Sequence, residues 1–343
     1  MKATYKKHIL EFKRPSGTSR GVLKTKETWF IILEDNGKKG YGECGILRTL
    51  SFDDVPDYEE KLKWACANIS LGLPALLQQL VAYPSIQFGL EQAFLSLKSV
   101  NPFELFPSKF TQGKTAISIN GLVWMGDDAF MKQQIKEKLK QGFSCIKMKI
   151  GAIDFETELN LLKSIRKEYS VKDVELRVDA NGAFSVEDAL NKLKILSELQ
   201  LHSIEQPIKP KQADVMASLC EKTPLPIALD EELIGVLTHE EKEQLIRAIK
   251  PQYIILKPSL IGGFKGSEEW IAIAEKNNTE YWITSALESN IGLNAIGQWT
   301  YTLQSKMPQG LGTGSLYTNN IVSPLQVESG KLYYKPQLQW NFK

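Results

Sequence analysis

From Thr115 onward, short runs of apolar and β-branched residues alternate with longer amphipathic stretches, and this rhythm leaves few folds open. Strands are expected at 116–120, 145–150, 175–179, 202–206, 227–230, 253–257 and 282–286, with a weaker eighth near Leu311. Helical periodicity fills the gaps, at 128–141, 155–168, 186–199, 212–221, 240–249, 264–276 and 291–303. Eight strands with seven intervening helices predict a closed parallel α/β barrel, a modified TIM barrel. An open doubly wound sheet would carry a Gly-rich phosphate turn after its first strand, and none follows Asn120.

The residues before this rhythm read differently. Trp29-Phe30-Ile31-Ile32 reads as a strand, Asn36-Gly37 as a hairpin turn and Tyr41 to Gly45 as its partner, with helical patterns at 58–80 and 86–97. Strands followed by helices predict a small α+β domain. The expected organisation is therefore residues 1–112 as that domain, 113–318 as the barrel, and 319–343 as a return of the chain to the first domain. At 343 residues with a 43% hydrophobic share, the chain can bury both cores. Lys+Arg 42 against Asp+Glu 40 gives no concentrated basic face, so no nucleic-acid partner is expected. Cys44, Cys66, Cys145 and Cys220 are far apart, which predicts reduced thiols, not a disulfide framework or a zinc site. No apolar run approaches a membrane span, and the basic N-terminus leads into no apolar signal segment. The expectation is a cytoplasmic protein, with an oligomer possible.

The chemistry is suggested by where each barrel strand ends. Strand two ends in Lys147-Met148-Lys149, strand three in Asp179-Ala180-Asn181, strand four in Glu205-Gln206, strand five in Asp230-Glu231-Glu232, and strand six in Lys257-Pro258-Ser259. Barrel active sites are assembled at the C-terminal ends of the strands, so Asp179, Glu205 and Asp230 should converge. Three carboxylates in one place stay ionised only beside a cation. An all-oxygen ligand set without His or Cys favours Mg²⁺, with Asn181 and Glu231 orienting the ligands. Lys147 and Lys149, two apart on a strand, share the inward face. Two neighbouring ammonium groups are expected to lower at least one pKa, which would suit a general base. Lys257 faces Lys149 across the mouth. A lone inward Lys is more often an ion-paired residue, and a lone strand-end Asp is often a helix cap. The ordered set is what argues for a site.

These residues resemble the enolase superfamily, in particular its muconate-lactonizing subgroup, over nearly the whole chain. The resemblance implies a (β/α)₇β barrel under an N-terminal α+β capping domain. Lys147 and Lys149 match the strand-two lysine pair, Asp179, Glu205 and Asp230 the magnesium ligands, and Lys257 the strand-six lysine. The mandelate-racemase branch needs a His late in the barrel, and His8, His202 and His239 are not there. Within the lysine–lysine subgroup the sequence is most similar to the o-succinylbenzoate synthase branch. That implies a Mg²⁺-dependent lyase of menaquinone biosynthesis that dehydrates 2-succinyl-6-hydroxy-2,4-cyclohexadiene-1-carboxylate through an enediolate, with Lys149 removing the α-proton. By the same resemblance Ser285 and Ser289 belong to the substrate pocket, and Gly312 and Thr313, in a polar Gly-rich stretch after strand eight, are able to offer backbone N–H groups to a succinyl carboxylate. In the family, capping-domain loops contribute to specificity, which makes Arg20 and Arg48 candidates to contact an anionic carboxylate substrate, the alternative for each being an ordinary surface residue. The alternatives are a dipeptide epimerase or N-acylamino acid racemase, for which the acid-free stretch 311–320 is a poor fit, and a non-catalytic barrel, which would be expected to have lost a ligand or a lysine.

Overall fold

The structure, a computed structural model, describes residues 1–18 and 21–342. The chain opens with a three-stranded antiparallel sheet of β1 (Lys2–Thr18), β2 (Gly21–Asp35) and β3 (Lys38–Gly45), in that order. Asn36 and Gly37 join β2 to β3 with φ of 49° and 78°. Both central residues of a tight hairpin turn are left-handed, as the Asn-Gly pair predicts. Helices α1 (Tyr58–Ala67), α2 (Leu73–Gln79) and α3 (Pro84–Lys98) follow. Glycines let α3 approach β3: a Cβ on Gly42 would lie 1.9 Å from the Gly89 carbonyl oxygen, and one on Gly89 would lie 2.1 Å from Cys44 Sγ. Trp29, Ile31, Leu33, Leu62, Ile86 and Leu90 fill the core between sheet and helices.

The remaining elements are β4 (Ala116–Ser118), β5 (Gly121–Val123), α4 (Asp128–Lys140), β6 (Cys145–Lys149), α5 (Phe155–Glu168), β7 (Glu175–Asp179), α6 (Val186–Ser197), β8 (Ser203–Glu205), α7 (Ala213–Lys222), β9 (Ile227–Leu229), α8 (His239–Ile249), β10 (Tyr253–Leu256), α9 (Gly263–Lys276), β11 (Glu280–Ile283), α10 (Asn290–Thr302), β12 (Leu325–Glu328) and β13 (Lys331–Tyr334). Strands β5 to β11 form one parallel sheet in sequence order. Gln309 and Gly310 close it, bridging in parallel to Ile119 on one side and to Thr284 on the other. Side chains of Asp127, Asp154, Ser185, Thr238 and Ser289 accept amide hydrogens at the starts of α4, α5, α6, α8 and α10.

One expectation is corrected. The stretch 116–120 is not as a whole the first barrel strand: within it only Ile119 bridges in parallel to the closing segment, at Gln309. Ala116–Ser118 pairs antiparallel with β13, and the barrel strand is Gly121–Val123, beside β6. Periodicity detects extended backbone, but the partner is chosen by the distant chain that arrives beside it.

Inside the barrel, one layer below Asp179 on β7, Arg177 is fully buried. Its guanidinium lies 4.3 Å from the Trp282 ring centroid, donates to the Pro308 carbonyl at 3.0 Å and pairs with Glu175 at 2.7 Å. A buried cation is tolerated there because π-face, carbonyl and carboxylate replace its water.

Two carboxylates dock the first domain onto barrel helices. Glu43 on β3 is fully buried and accepts from Ser289 N (2.8 Å), Ser289 Oγ (2.5 Å), Gly292 N (2.8 Å) and Thr28 Oγ1 (2.8 Å). It thereby seats an anion at the positive end of α10. Glu91 on α3 accepts from Phe264 N (2.5 Å) and Lys265 N (3.1 Å) at the start of α9, whose own cap, Gly262, has no side chain to do so. Glu43→Ala is expected to cost about 3 kcal/mol in urea unfolding, because it strands several buried donors at once. A loss within about 0.5 kcal/mol, the range of an ordinary surface substitution, would contradict that role.

Burial pushes the Glu91 carboxyl up to about 7, against the amides that favour its anion. Its folded pKa lies above the unfolded value. Its contribution to stability is therefore complete below about pH 4.5 and is lost as pH rises through about 7. Melting temperatures of wild type should accordingly fall more steeply from pH 5 to 8 than those of Glu91→Gln. Parallel profiles in calorimetry would refute the assignment.

The final residues reach back. Phe342 packs edge-on to Phe30 and Tyr41, and Trp340 stacks on Phe103. The four cysteines are free and buried. No helix among the described residues is long and apolar enough to cross a membrane.

Candidate active site

Parallel pairing places the strand-end residues level with one another. Lys149 is in register with Asp179, and Asp179 with Glu205. Lys147 Nζ lies 2.7 Å from Glu205 Oε2 and 3.3 Å from Asp179 Oδ2. Lys149 Nζ lies 2.9 Å from Asp179 Oδ2 and donates to Asn181 Oδ1 at 2.6 Å. Lys257 Nζ pairs with Asp230 Oδ2. The lysines and carboxylates therefore interleave across one end of the barrel, and Asp179, Glu205 and Asp230 are almost wholly shielded from solvent.

Burial raises the Asp179 carboxyl, but Lys149, Lys147 and Lys257 outweigh it and hold the group well below the usual carboxylate range. Asp230 is likewise raised by burial and carried below its ordinary value mainly by Lys257. Glu205 goes the other way: burial and the Asp179 charge push it well above the usual range, and Lys147 offsets them only in part. Three buried carboxylates cannot all ionise cheaply, and the protons stay where the local cation is weakest.

The expected lowering of a lysine is not found at Lys147. Burial does lower it, but Glu205 and Asp179 raise it further, and its net shift is upward. Lys257 is raised in the same way by Asp230 and Glu205. Like-charge repulsion between neighbouring lysines is the smaller effect because each of these ammonium groups has a carboxylate at contact distance.

The carboxylates suit a hard divalent cation. Their donors are anionic oxygens only, and Glu205 Oε1 is buried without a hydrogen-bond partner, a costly state for a carboxylate oxygen. Among the described residues no three acidic, His or Cys groups stand as a ready ligand cluster, since each of these carboxylates is drawn to a lysine. Asn181 sits at φ 44° and links three partners. It accepts from Lys149, donates to Glu231 Oε1 at 3.0 Å, and its backbone N–H donates to Asp179 Oδ1 at 3.1 Å.

A cavity of about 840 Å³ opens over this set, lined by Lys147, Lys149, Asp179, Asn181, Glu231 and Lys257. Ser285, Gly312 and Thr313 form part of its far wall, with Ser285 Oγ 2.7 Å from Thr313 Oγ1. Ser289 is corrected. It does not line the cavity, because its hydroxyl donates to Glu43 and accepts from Ile291 N, the roles of a helix cap. Arg48 lines the cavity but its guanidinium is held by Glu27 and Asp54. Arg20 lies outside the described residues.

Three contributors escaped the sequence reading. Trp124 lines the cavity one residue beyond Val123, which is level with Met148. It would have been found had the first strand been placed at 121–123. Gln206, fully buried with φ 40°, accepts from Asp230 N and Glu232 N, both at 3.2 Å, and so fixes the loop after β9. Glu288 is fully buried, accepts from Ser259 Oγ at 2.6 Å and steadies the turn after Lys257. Neither could be distinguished from an ordinary loop residue before its partner was known.

Residues 130–337 match the family model of enolase C-terminal domain-like proteins. An o-succinylbenzoate synthase of Desulfotalea psychrophila is 47% identical, over 97% of this chain and 98% of that protein. The crystal structure of MenC from Desulfotalea psychrophila superposes with a TM-score of 0.87 at 42% identity, covering 97% of this chain and 99% of that one. An L-Ala-D/L-Glu epimerase of Bacillus subtilis is 24% identical over 82% of this chain and 79% of its own length.

Proposed function

Because the chain belongs to the enolase superfamily, we propose that it dehydrates 2-succinyl-6-hydroxy-2,4-cyclohexadiene-1-carboxylate to o-succinylbenzoate with the help of Mg²⁺. The observation that carries this reading is the pair Lys149, at the end of β6, and Lys257, just after β10 and four strands round the sheet, which line one cavity with a candidate ligand carboxylate beside each. The similarity to an o-succinylbenzoate synthase across nearly the whole chain supports the choice of substrate.

Asp179, Glu205 and Asp230 would hold the ion, which when bound supplies positive charge for the anion that develops on the substrate carboxylate. The protein's own residues do the rest. Lys149, once neutral, takes the proton from the carbon bearing the carboxylate, so that the C–H bond breaks. The resulting ammonium gives the proton to the departing hydroxyl, the C–O bond breaks, and water leaves. The ring becomes aromatic, with atoms and charge balanced and Lys149 restored. Lys257 stays protonated, held so by Asp230 and Glu205, and presents its charge to the side of the ring opposite Lys149. Lys147 offsets the Asp179 and Glu205 charges from below.

An epimerase acting on a dipeptide would need an anion for the substrate's ammonium. The acidic side chains lining the described cavity are Asp179 and Glu231 only, both beside the lysines, and the wall from Gly312 to Thr318 carries none. The test is loss of diene absorbance when purified protein and Mg²⁺ meet the cyclohexadiene. Rapid loss is expected. No turnover, together with exchange of an α-hydrogen in dipeptides dissolved in deuterated water, would replace this reading with an epimerase.

A further inference from the structure

Among the described residues, the cavity wall carries one cationic side chain that lies beside neither a carboxylate nor an aromatic face. Its cationic side chains among the described residues are Lys13, Arg48, Lys138, Lys147, Lys149 and Lys257. Lys147, Lys149 and Lys257 face Asp179, Glu205 and Asp230. Arg48 is held by Glu27 and Asp54. The half-buried Lys138 places its ammonium 5.1 Å from the Phe143 ring centroid. Lys13 is exposed, lines the cavity, and has no carboxylate partner among the described residues.

Lys13 is nevertheless fixed in place through its backbone. Its N–H donates to the Leu316 carbonyl at 2.8 Å, and the preceding Phe12 packs on Tyr317 at 4.7 Å between ring centroids. Those contacts tie this part of β1 to the segment that follows Gly312 and Thr313, which lines the same cavity as the catalytic lysines. An exposed lysine on an anchored backbone, lining a shared cavity and lacking a carboxylate partner among the described residues, is available to pair with an anion.

The geometry points to Lys13 as the residue that selects substrates with a second, distal carboxylate, by pairing with it while the first carboxylate sits among Lys149, Lys257 and the acidic set. This assignment rests on the proposed dehydration, whose substrate and product both carry a carboxylate at the end of the succinyl chain. Lys13 is a specificity residue. It touches no reacting atom.

The experiment compares o-succinylbenzoate with 2-butanoylbenzoate, which keeps the ring carboxylate and lacks the distal one, by calorimetric titration in Mg²⁺. Wild type should prefer the dicarboxylate. Lys13→Ala should weaken o-succinylbenzoate about tenfold, the size of one charge-assisted contact, and leave 2-butanoylbenzoate within about twofold. Lys13→Arg should restore most of the loss. In turnover, Lys13→Ala should raise KM far more than it lowers kcat. Equal weakening of both ligands, or of neither, by a folded variant of an enzyme that turns over the cyclohexadiene overturns Lys13 alone. If wild type neither turns over the cyclohexadiene nor binds either compound, the dehydration and the Lys13 assignment fall together.

Discussion

Replacing Lys149 by alanine is expected to reduce turnover of the cyclohexadiene by about 10⁴-fold, the upper range for loss of a positioned acid–base group. Lys149 carries both halves of the proposed proton transfer, so its loss removes the base and the acid together. Its surroundings specify the defect. Lys149 Nζ is held between Asp179 Oδ2 and Asn181 Oδ1, and neither acceptor can donate a proton to the leaving group while Asp179 is ionised. Stability should change little, because the buried Asp179 carboxylate keeps Lys147 Nζ at 3.3 Å as a counter-charge when Lys149 is lost. Melting temperature and far-ultraviolet dichroism establish folding, and single-turnover absorbance gives the rate. A folded Lys149→Ala that keeps more than about one per cent of wild-type kcat would mean that another group moves the proton. Lys257→Ala should cost less than Lys149→Ala, since charge stabilisation is shared.

Removal of Mg²⁺ is expected to abolish the activity and to lower the melting temperature. An ion at 100 times its Kd stabilises the folded state by about 2.7 kcal/mol, several degrees for a chain of this size. Glu205→Gln should remove both the rescue of activity by added Mg²⁺ and the thermal shift. In chelator, however, the variant should melt within a few degrees of wild type. Burial and Asp179 already push the Glu205 carboxyl well above the usual range, so the neutral amide resembles the form that the metal-free protein tolerates. That combination separates a metal ligand from a structural carboxylate, which would destabilise the protein in chelator and metal alike. A Mg²⁺ shift in Glu205→Gln as large as in wild type would sink the assignment of Glu205.

The strand rhythm, the Asn-Gly turn between β2 and β3 and the charged residue at each strand end were legible in the sequence, because each depends on neighbours a few residues apart. Period-two alternation on β6 puts Lys147 and Lys149 on one face whatever lies opposite, and a closed parallel barrel then places Asp179 beside them. Chemistry that depends only on residue type and strand position can be read from the chain. The resemblance to the lysine–lysine subgroup rested on those same positions.

Partnership could not be read this way, since it depends on which distant segment arrives. Ala116–Ser118 looked like a barrel strand and pairs with β13. Ser289 looked like a pocket residue and is claimed by Glu43, 246 positions away in sequence. At least one of Lys147 and Lys149 was expected to lose proton affinity, and Lys147 gains it because Glu205 and Asp179 lie at contact distance as counter-charges. Lys13 stands out only once every other cation on the wall has been seen to have a partner. The pattern of residues along the chain specified the barrel and its ring of lysines and acids. Which charge neutralises which, and which is left to meet a substrate, was settled by packing, because Coulomb energies at contact distances turn on ångströms that no local pattern encodes.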